Sequence, residues 1–273
     1  MKISKILIPL YILFLVYVFV LQFLSVASFV KLILLLVIIT SFVWIILHYK
    51  KKISSIERKY HNILTKYLDP KIVKQLVTEQ DELHSETEKR SITIMFIDIR
   101  GYTSLAEKIQ PEKLVKTLNE YLEAITNIII KFGGTVDKFI GDGILCFFGN
   151  PTEYADHPLR AIKSALVIQN TIKSLNKQWI KTEQPLIHLG IGINTGEVII
   201  GNIGGNDRMD YTVIGDNVNI TSRLCDIAEA EQIIVSELTY EAVKENVEAK
   251  EFNPINLKGK QEPIKVYEIL NLK

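Results

Sequence analysis

Cysteine is nearly absent from this chain. Cys146 and Cys225 are the only two in 273 residues, with no C-x-x-C spacing and no histidine close by, so neither a zinc site nor a disulfide framework is expected. Cys146 falls in the apolar run 144–148 and reads as a small buried residue. A strong charge of one sign is missing too. The net charge is +1, and no Lys/Arg cluster is interleaved with aromatics, so no nucleic-acid face is expected. No G-K-[ST] accompanies the glycine-rich stretches, which removes a P-loop. Finally, the two longest apolar runs, about residues 6–24 and 32–49, hold no Asp, Glu or Arg. A transport path through a membrane needs such groups.

Those two runs are themselves the main feature of the N-terminal part. The first is broken only by Pro9, Gln22 and a few tyrosines, and each is long enough for a hydrocarbon core of about 30 Å. A cleaved signal peptide fits poorly, because a second run follows at once. Lys2 and Lys5 precede the first run, Lys50, Lys51 and Lys52 follow the second, and Lys31 alone lies between them. The positive-inside rule then puts both ends in the cytoplasm. Residues 1–49 are therefore expected to form a transmembrane helical hairpin in the cell membrane. The short turn 25–31 leaves no room for an external ligand-binding domain, so anchoring or dimerisation is the preferred role. Residues 50–90 read as a cytoplasmic helical linker. Ile53, Ile56, Tyr60, Ile63 and Tyr67 recur at steps of three and four, the a/d pattern of a parallel helix pair. An amphipathic helix lying on its own domain fits the same spacing. Ile72, Val73, Leu76 and Val77 form one more apolar face before the polar connector 78–90.

Residues 91–273 read as a single α+β domain. Residues 91–99 are rich in β-branched residues and nearly all apolar, as for a strand covered on both faces. Its one charge, Asp98, must be solvated, paired or bound to a cation. Residues 111–131 form an amphipathic helix on Leu114, Leu118, Leu122, Ile125 and Ile129, stopped by Gly133-Gly134. Asp137 to Gly143 lies between apolar β-formers and predicts a hairpin with Asp142 at an exposed tip. A helix over about 155–179 and a strand at 186–193 complete a βαββαβ order, the ferredoxin-like arrangement with helices on one sheet face. Asp98 and Asp142 then share one sheet edge and suit Mg²⁺ or Mn²⁺ better than zinc. The glycines of 190–196 and 201–205 are expected to mark bulges and a close turn. A helix over 217–230 puts Asn219 and Arg223 on one face.

In order along the chain stand Phe96-Ile97-Asp98-Ile99-Arg100-Gly101-Tyr102-Thr103, Asp137-Lys138-Phe139-Ile140-Gly141-Asp142-Gly143, Gly190-Ile191-Gly192-Ile193-Asn194-Thr195-Gly196-Glu197, Tyr211 to Asn219 with Arg223, and Leu257-Lys258-Gly259-Lys260. Together they resemble the class III nucleotidyl cyclases over about residues 91–270. Lys66-Tyr67-Leu68-Asp69-Pro70 is similar to a segment that often precedes bacterial members.

The resemblance implies an adenylate cyclase of the threonine-carrying (class IIIb-like) branch, making 3′,5′-cyclic AMP and pyrophosphate for intracellular signalling. Asp98 and Asp142, with the Ile99 carbonyl, would hold two Mg²⁺ or Mn²⁺ ions per site. Arg223 would offset charge growing on the phosphate, Asn219 would orient the ribose, and Lys258 would reach the terminal phosphates. Lys138 and Thr212 would read the base. A lysine at the first position favours ATP. At the second, many adenylate cyclases carry Asp, an acceptor only, whereas a hydroxyl can accept or donate, which weakens the penalty against guanine. Threonine there also implies stimulation by bicarbonate. In the family each site takes residues from two catalytic domains, and this chain has one domain with both sets, so a homodimer is implied. A guanylate cyclase, or an inactive membrane-tethered module for dimerisation or nucleotide sensing, are the alternatives.

Overall fold

The computed structural model describes residues 4–23, 28–67, 87–205, 208–255 and 263–273. The chain divides into two units, Met1–Leu64 and Thr65–Lys273.

The first unit holds α1 (Ser4–Phe23) and all but the last three residues of α2 (Ser28–Tyr67). At 1.5 Å per residue the 40 residues of α2 run for about 60 Å, twice a bilayer core. The apolar run and the a/d pattern therefore lie on one continuous helix, where the sequence suggested a span followed by a separate linker helix. Within α2, Ile33–Lys59 is long and apolar enough to cross a membrane. The corresponding described stretch of α1, Tyr11–Val20, is shorter than a bilayer crossing. Tyr11, Phe14 and Tyr17 of α1 line one apolar groove together with Ile38, Phe42 and Ile45 of α2. Residues 68–86, with most of the segment that resembles a bacterial linker, lie outside the described residues.

The second unit is built on β1 (Glu88–Ile99), which begins inside what read as a polar connector. After it come α3 (Tyr102–Lys108), α4 (Pro111–Lys131), β2 (Thr135–Ile140), β3 (Gly143–Phe148), α5 (His157–Lys181), β4 (Leu189–Gly205), β5 (Arg208–Ile214) and α6 (Asp216–Ile227). The strands β2-β3-β1-β4 lie in that order with antiparallel neighbours, as the βαββαβ pattern requires. The sheet continues through β6 (Ile233–Ser236), β8 (Ile264–Leu272) and β7 (Val247–Ile255), with α7 (Glu237–Val243) between β6 and β7. Nothing in the apolar pattern had suggested this extension.

Alternation along β1 explains why both of its faces are buried. Met95, Ile97 and Ile99 pack against Tyr121, Ile125 and Ile129 of α4 and Ala161, Ile162, Ala165 and Ile168 of α5. Ile92 and Ile94 turn the other way, into a second cluster with Leu145, Phe147, Val198, Ile200 and Val213. Helices on one face describes α4 and α5 only, since α6 packs directly on β4. The glycines of β4 make that packing possible. A Cβ on Gly192 would stand 2.2 Å from the Cys225 backbone nitrogen, and one on Gly190 would stand 2.7 Å from the Ala228 carbonyl oxygen. The β1–β4 ladder is regular through both glycines, so they mark close helix approach and no bulge. Residues 201–205 continue β4, pairing with β5 from Ile199↔Ile214 onward, and do not form the expected turn.

Candidate active site

Two groups of polar side chains emerge from this scaffold. The first gathers at the C-terminal end of β1. Gly141 and Asp142 form the two-residue turn between β2 and β3, and Gly141 takes φ 63°, a conformation that favours glycine. The pairing Ile97↔Ile144 carries the turn alongside Ile99, whose N–H donates to Asp142 Oδ2 at 3.3 Å. Tyr121 of α4 donates its hydroxyl to the Asp142 carbonyl at 3.3 Å. Asp142 is thus half-buried and held from two sides, not at an exposed tip.

Asp98 points to the same place. Burial first, and the Asp142 carboxylate second, push its pKa above the usual carboxylate value, and Asp226 of α6 adds to the effect. Arg100 opposes the shift, its Nη2 lying 2.8 Å from Asp98 Oδ2. The same guanidinium reaches Cys225 Sγ at 3.5 Å, while its Nε is buried without a partner. Burial and the charges of Asp142 and Asp98 hold the Tyr121 hydroxyl well above its ordinary pKa, so it remains a donor. Two carboxylates turned to one place, one of them held above its usual pKa by burial and by the other's charge, fit a hard divalent cation. A Cβ on Gly143 would approach Asp98 Oδ1 to 3.4 Å and the Ile97 carbonyl to 3.2 Å, so the glycine keeps the space between the carboxylates open.

The second group joins β2 and β5. Thr212, 8% exposed, donates its hydroxyl to Asp137 Oδ2 at 2.6 Å. Lys138 Nζ stands 3.5 Å from Asp137 Oδ1 and 3.7 Å from Asp210 Oδ2. Lys138 and Thr212 are therefore brought together within one chain, around a carboxylate to which the sequence gave no role.

Asn219 and Arg223 both lie on the exposed face of α6. Arg223 Nη1 is 3.5 Å from Asp226 Oδ2 in a solvated pair, which leaves the guanidinium available, since such pairs are weak. Lys258 lies outside the described residues. Arg100, Asp137, Asp210 and Asp226 have no role in the sequence motifs and are brought to these groups by the fold. Arg100 and Asp137 adjoin residues already singled out, and a charge beside a buried strand end was the available signal.

Residues 84–271 match the family model described as the adenylate and guanylate cyclase catalytic domain. An adenylate cyclase of Anabaena cylindrica is 35% identical over 229 residues, covering 81% of this chain but only 43% of that protein. This chain thus spans less than half of that relative. Among solved structures, an adenylyl cyclase from P. aeruginosa is 36% identical with a TM-score of 0.66, over 68% of this chain and 96% of the other. A guanylyl cyclase is 37% identical with a TM-score of 0.64, over 68% and 95%. On the extent of these matches, the chain belongs to the adenylate and guanylate cyclase catalytic-domain family.

Proposed function

We propose that this chain is an adenylate cyclase, converting ATP to 3′,5′-cyclic AMP and pyrophosphate at two equivalent sites shared by a homodimer. The observation that supports it best is the pairing of Lys138 with Thr212 beside Asp137, a donor and a hydroxyl held together in a half-buried place where a purine edge can be read. A relative named as an adenylate cyclase points the same way.

Asp98 and Asp142, with the Ile99 carbonyl, are the residues that would hold Mg²⁺ or Mn²⁺, two ions per site. When bound, such ions favour ionisation of the ribose 3′-hydroxyl and neutralise triphosphate charge. Asn219 orients the ribose so that this hydroxyl faces the α-phosphorus. Arg223, on the same face of α6, donates to the phosphate as charge grows on it, and losing such a donor typically costs about 10²–10³ in rate. Lys258 binds the terminal phosphates. Lys138 donates to the adenine ring and Thr212 accepts from its amino group. The Arg100 guanidinium, 2.8 Å from Asp98 Oδ2, would have to give way for Asp98 to hold a cation.

Residues 1–49, within the first unit, are assigned as a two-span membrane hairpin with both ends cytoplasmic. Residues 50–90 are the linker and 91–273 the catalytic domain. The groove shared by α1 and α2 and the lysines at 50–52 support that topology. Single cysteines placed at positions 3 and 27 test it: only the second should react with an impermeant thiol reagent on intact cells. Bicarbonate stimulation, carried by Thr212, predicts a faster rate with bicarbonate at fixed pH.

Cyclic AMP formed from ATP by the purified chain with Mg²⁺ or Mn²⁺ is the decisive assay. Guanylate cyclase is the second reading, favoured by the similar guanylyl cyclase structure. Side-by-side turnover of ATP and GTP separates the two, and binding without turnover would mark an inactive module.

A further inference from the structure

We infer that Asp137 sets the base preference of this chain by fixing the direction of the Thr212 hydroxyl. The inference rests on the cyclase reading above, and it assigns work to a residue that does not itself touch the base.

The starting point is an irregularity in β2. Its register against β3 runs Val136↔Cys146 and then Lys138↔Leu145, which leaves Asp137 as the extra residue of a β-bulge. In a regular strand, neighbours point to opposite faces. The bulge instead brings Asp137 and Lys138 together, with the ammonium 3.5 Å from Asp137 Oδ1. Re-aiming of this kind is a recurrent use of bulges beside functional sites. The result is unusual for an edge strand: a carboxylate whose side chain is only 1% exposed. Burying such a group is costly unless it is well paired.

Its pairing has a direction. The Thr212 hydroxyl lies 2.6 Å from Asp137 Oδ2, the short separation of a hydrogen bond to a charged acceptor. An ionised carboxylate accepts and cannot donate, so Thr212 must donate its only proton to Asp137. Burial raises the Asp137 pKa, while Thr212, Lys138 and the Val213 backbone pull it back. With its proton committed, the Thr212 oxygen offers nothing but lone pairs to a base edge. The adenine amino group donates and meets them well. Guanine presents a carbonyl oxygen at that position and would face lone pair against lone pair. Through this relay a threonine acquires the polarity of the acidic residue found at the same position in many adenylate cyclases. The ambiguity of a free hydroxyl is removed by the residue beside it. Lys138, held between Asp137 and Asp210, supplies the complementary donor.

Asp137→Asn tests the relay, because it preserves size while its amide can donate to Thr212 Oγ1 and turn the hydroxyl outward as a donor. The full chain in lipid nanodiscs would be assayed for kcat and KM with ATP and with GTP. Dissociation constants of the non-cyclising α,β-methylene analogues of both nucleotides would be measured in parallel. The ratio of kcat/KM for ATP over GTP should fall by about tenfold or more, the scale of one reversed polar contact, with the change carried by KM and by the analogue constants. On a Thr212→Ala background the same substitution should leave the ratio unchanged, since the two residues act as one unit. An equal loss with both nucleotides, or the same ratio change without Thr212, would overturn the inference and make Asp137 purely structural. A wild-type chain that forms no cyclic nucleotide would sink the cyclase reading instead. The analogue constants still decide the relay in that case: lost adenine preference in Asp137→Asn supports it, and unchanged preference refutes it.

Discussion

Gly192→Ala is a severe perturbation for one added methyl group. Its Cβ would lie 2.2 Å from the Cys225 nitrogen, 2.6 Å from the Thr221 carbonyl oxygen and 2.8 Å from the Cys225 Cα. All three are backbone atoms of α6, so no side chain can swing away to make room. Ordinary contact begins near 3.4 Å, which requires α6 to retreat from β4 by about 1 Å, or β4 to yield by as much. Overpacking of this kind costs about 1–3 kcal/mol, a fall of roughly 2–12 °C in Tm for a domain of this size. The same helix carries Asn219 and Arg223, and a 1 Å misplacement of reacting groups can cost about 10² in rate. Turnover measured well below the lowered Tm should therefore drop by more than the stability loss explains. Gly205→Ala is the control, because its Cβ would meet nothing within 4 Å, and it should behave as wild type. A Gly192→Ala protein with unchanged Tm and unchanged turnover would refute the view that this glycine sets the depth of α6 and thereby the position of its exposed face.

Other expectations follow from the proposed sites. Asp98→Ala and Arg223→Ala chains, each inactive alone, should regain part of the activity when mixed, as expected of sites built from two copies; no recovery despite demonstrated heterodimers would count against sharing. Lys138→Glu should shift turnover from ATP toward GTP and spare Mn²⁺ binding, whereas Asp142→Asn should abolish metal-dependent turnover; weakened Mn²⁺ binding in the lysine variant would undo that division. Asp137 also predicts a pH dependence of stability, since burial raises its folded pKa above the ordinary 3.8, against the pull of Thr212, Lys138 and the Val213 backbone, with Cys146 of β3 and Asp210 of β5 the remaining ionisable neighbours. The folded state then takes up the proton first as pH falls. Wild type should gain stability relative to Asp137→Asn from the raised value down to 3.8, below which the gain is complete. A denaturation series across that range giving a constant difference would contradict it.

Much of the catalytic unit is written locally in the chain. Helix α4 runs from Pro111 to Lys131, the bounds that its apolar spacing and following glycines announced. The β2–β3 hairpin was legible from β-formers flanking Gly141-Asp142-Gly143, and Asp98 from being the one charge in an apolar strand. Such features need only neighbouring residues to declare themselves: periodicity, a turn, an isolated carboxylate. What read incorrectly depended on distant partners. Gly190 and Gly192 read as bulges because their reason is α6, which returns to β4 about thirty residues later. Asp142 read as an exposed tip because its half-burial comes from Ile99 and Tyr121. Residues 233–272 gave no signal of the strands that extend the sheet beyond β4, since β6, β7 and β8 are fixed by pairing more than by pattern.

The sequence alone therefore determined the order of elements from β1 to β4, the helix that follows, and which residue types stand ready for chemistry at Asp98, Lys138, Asp142, Thr212, Asn219 and Arg223. Only the tertiary structure decided what those side chains can do. It set Asp98 beside Asp142, so that burial and the neighbouring charge raise the proton affinity of Asp98, and it placed a bulge at Asp137 that brings its carboxylate within 2.6 Å of the Thr212 hydroxyl. A carboxylate's chemistry depends on its burial and on the charges and donors around it, and those are supplied by strands and helices far away in the chain.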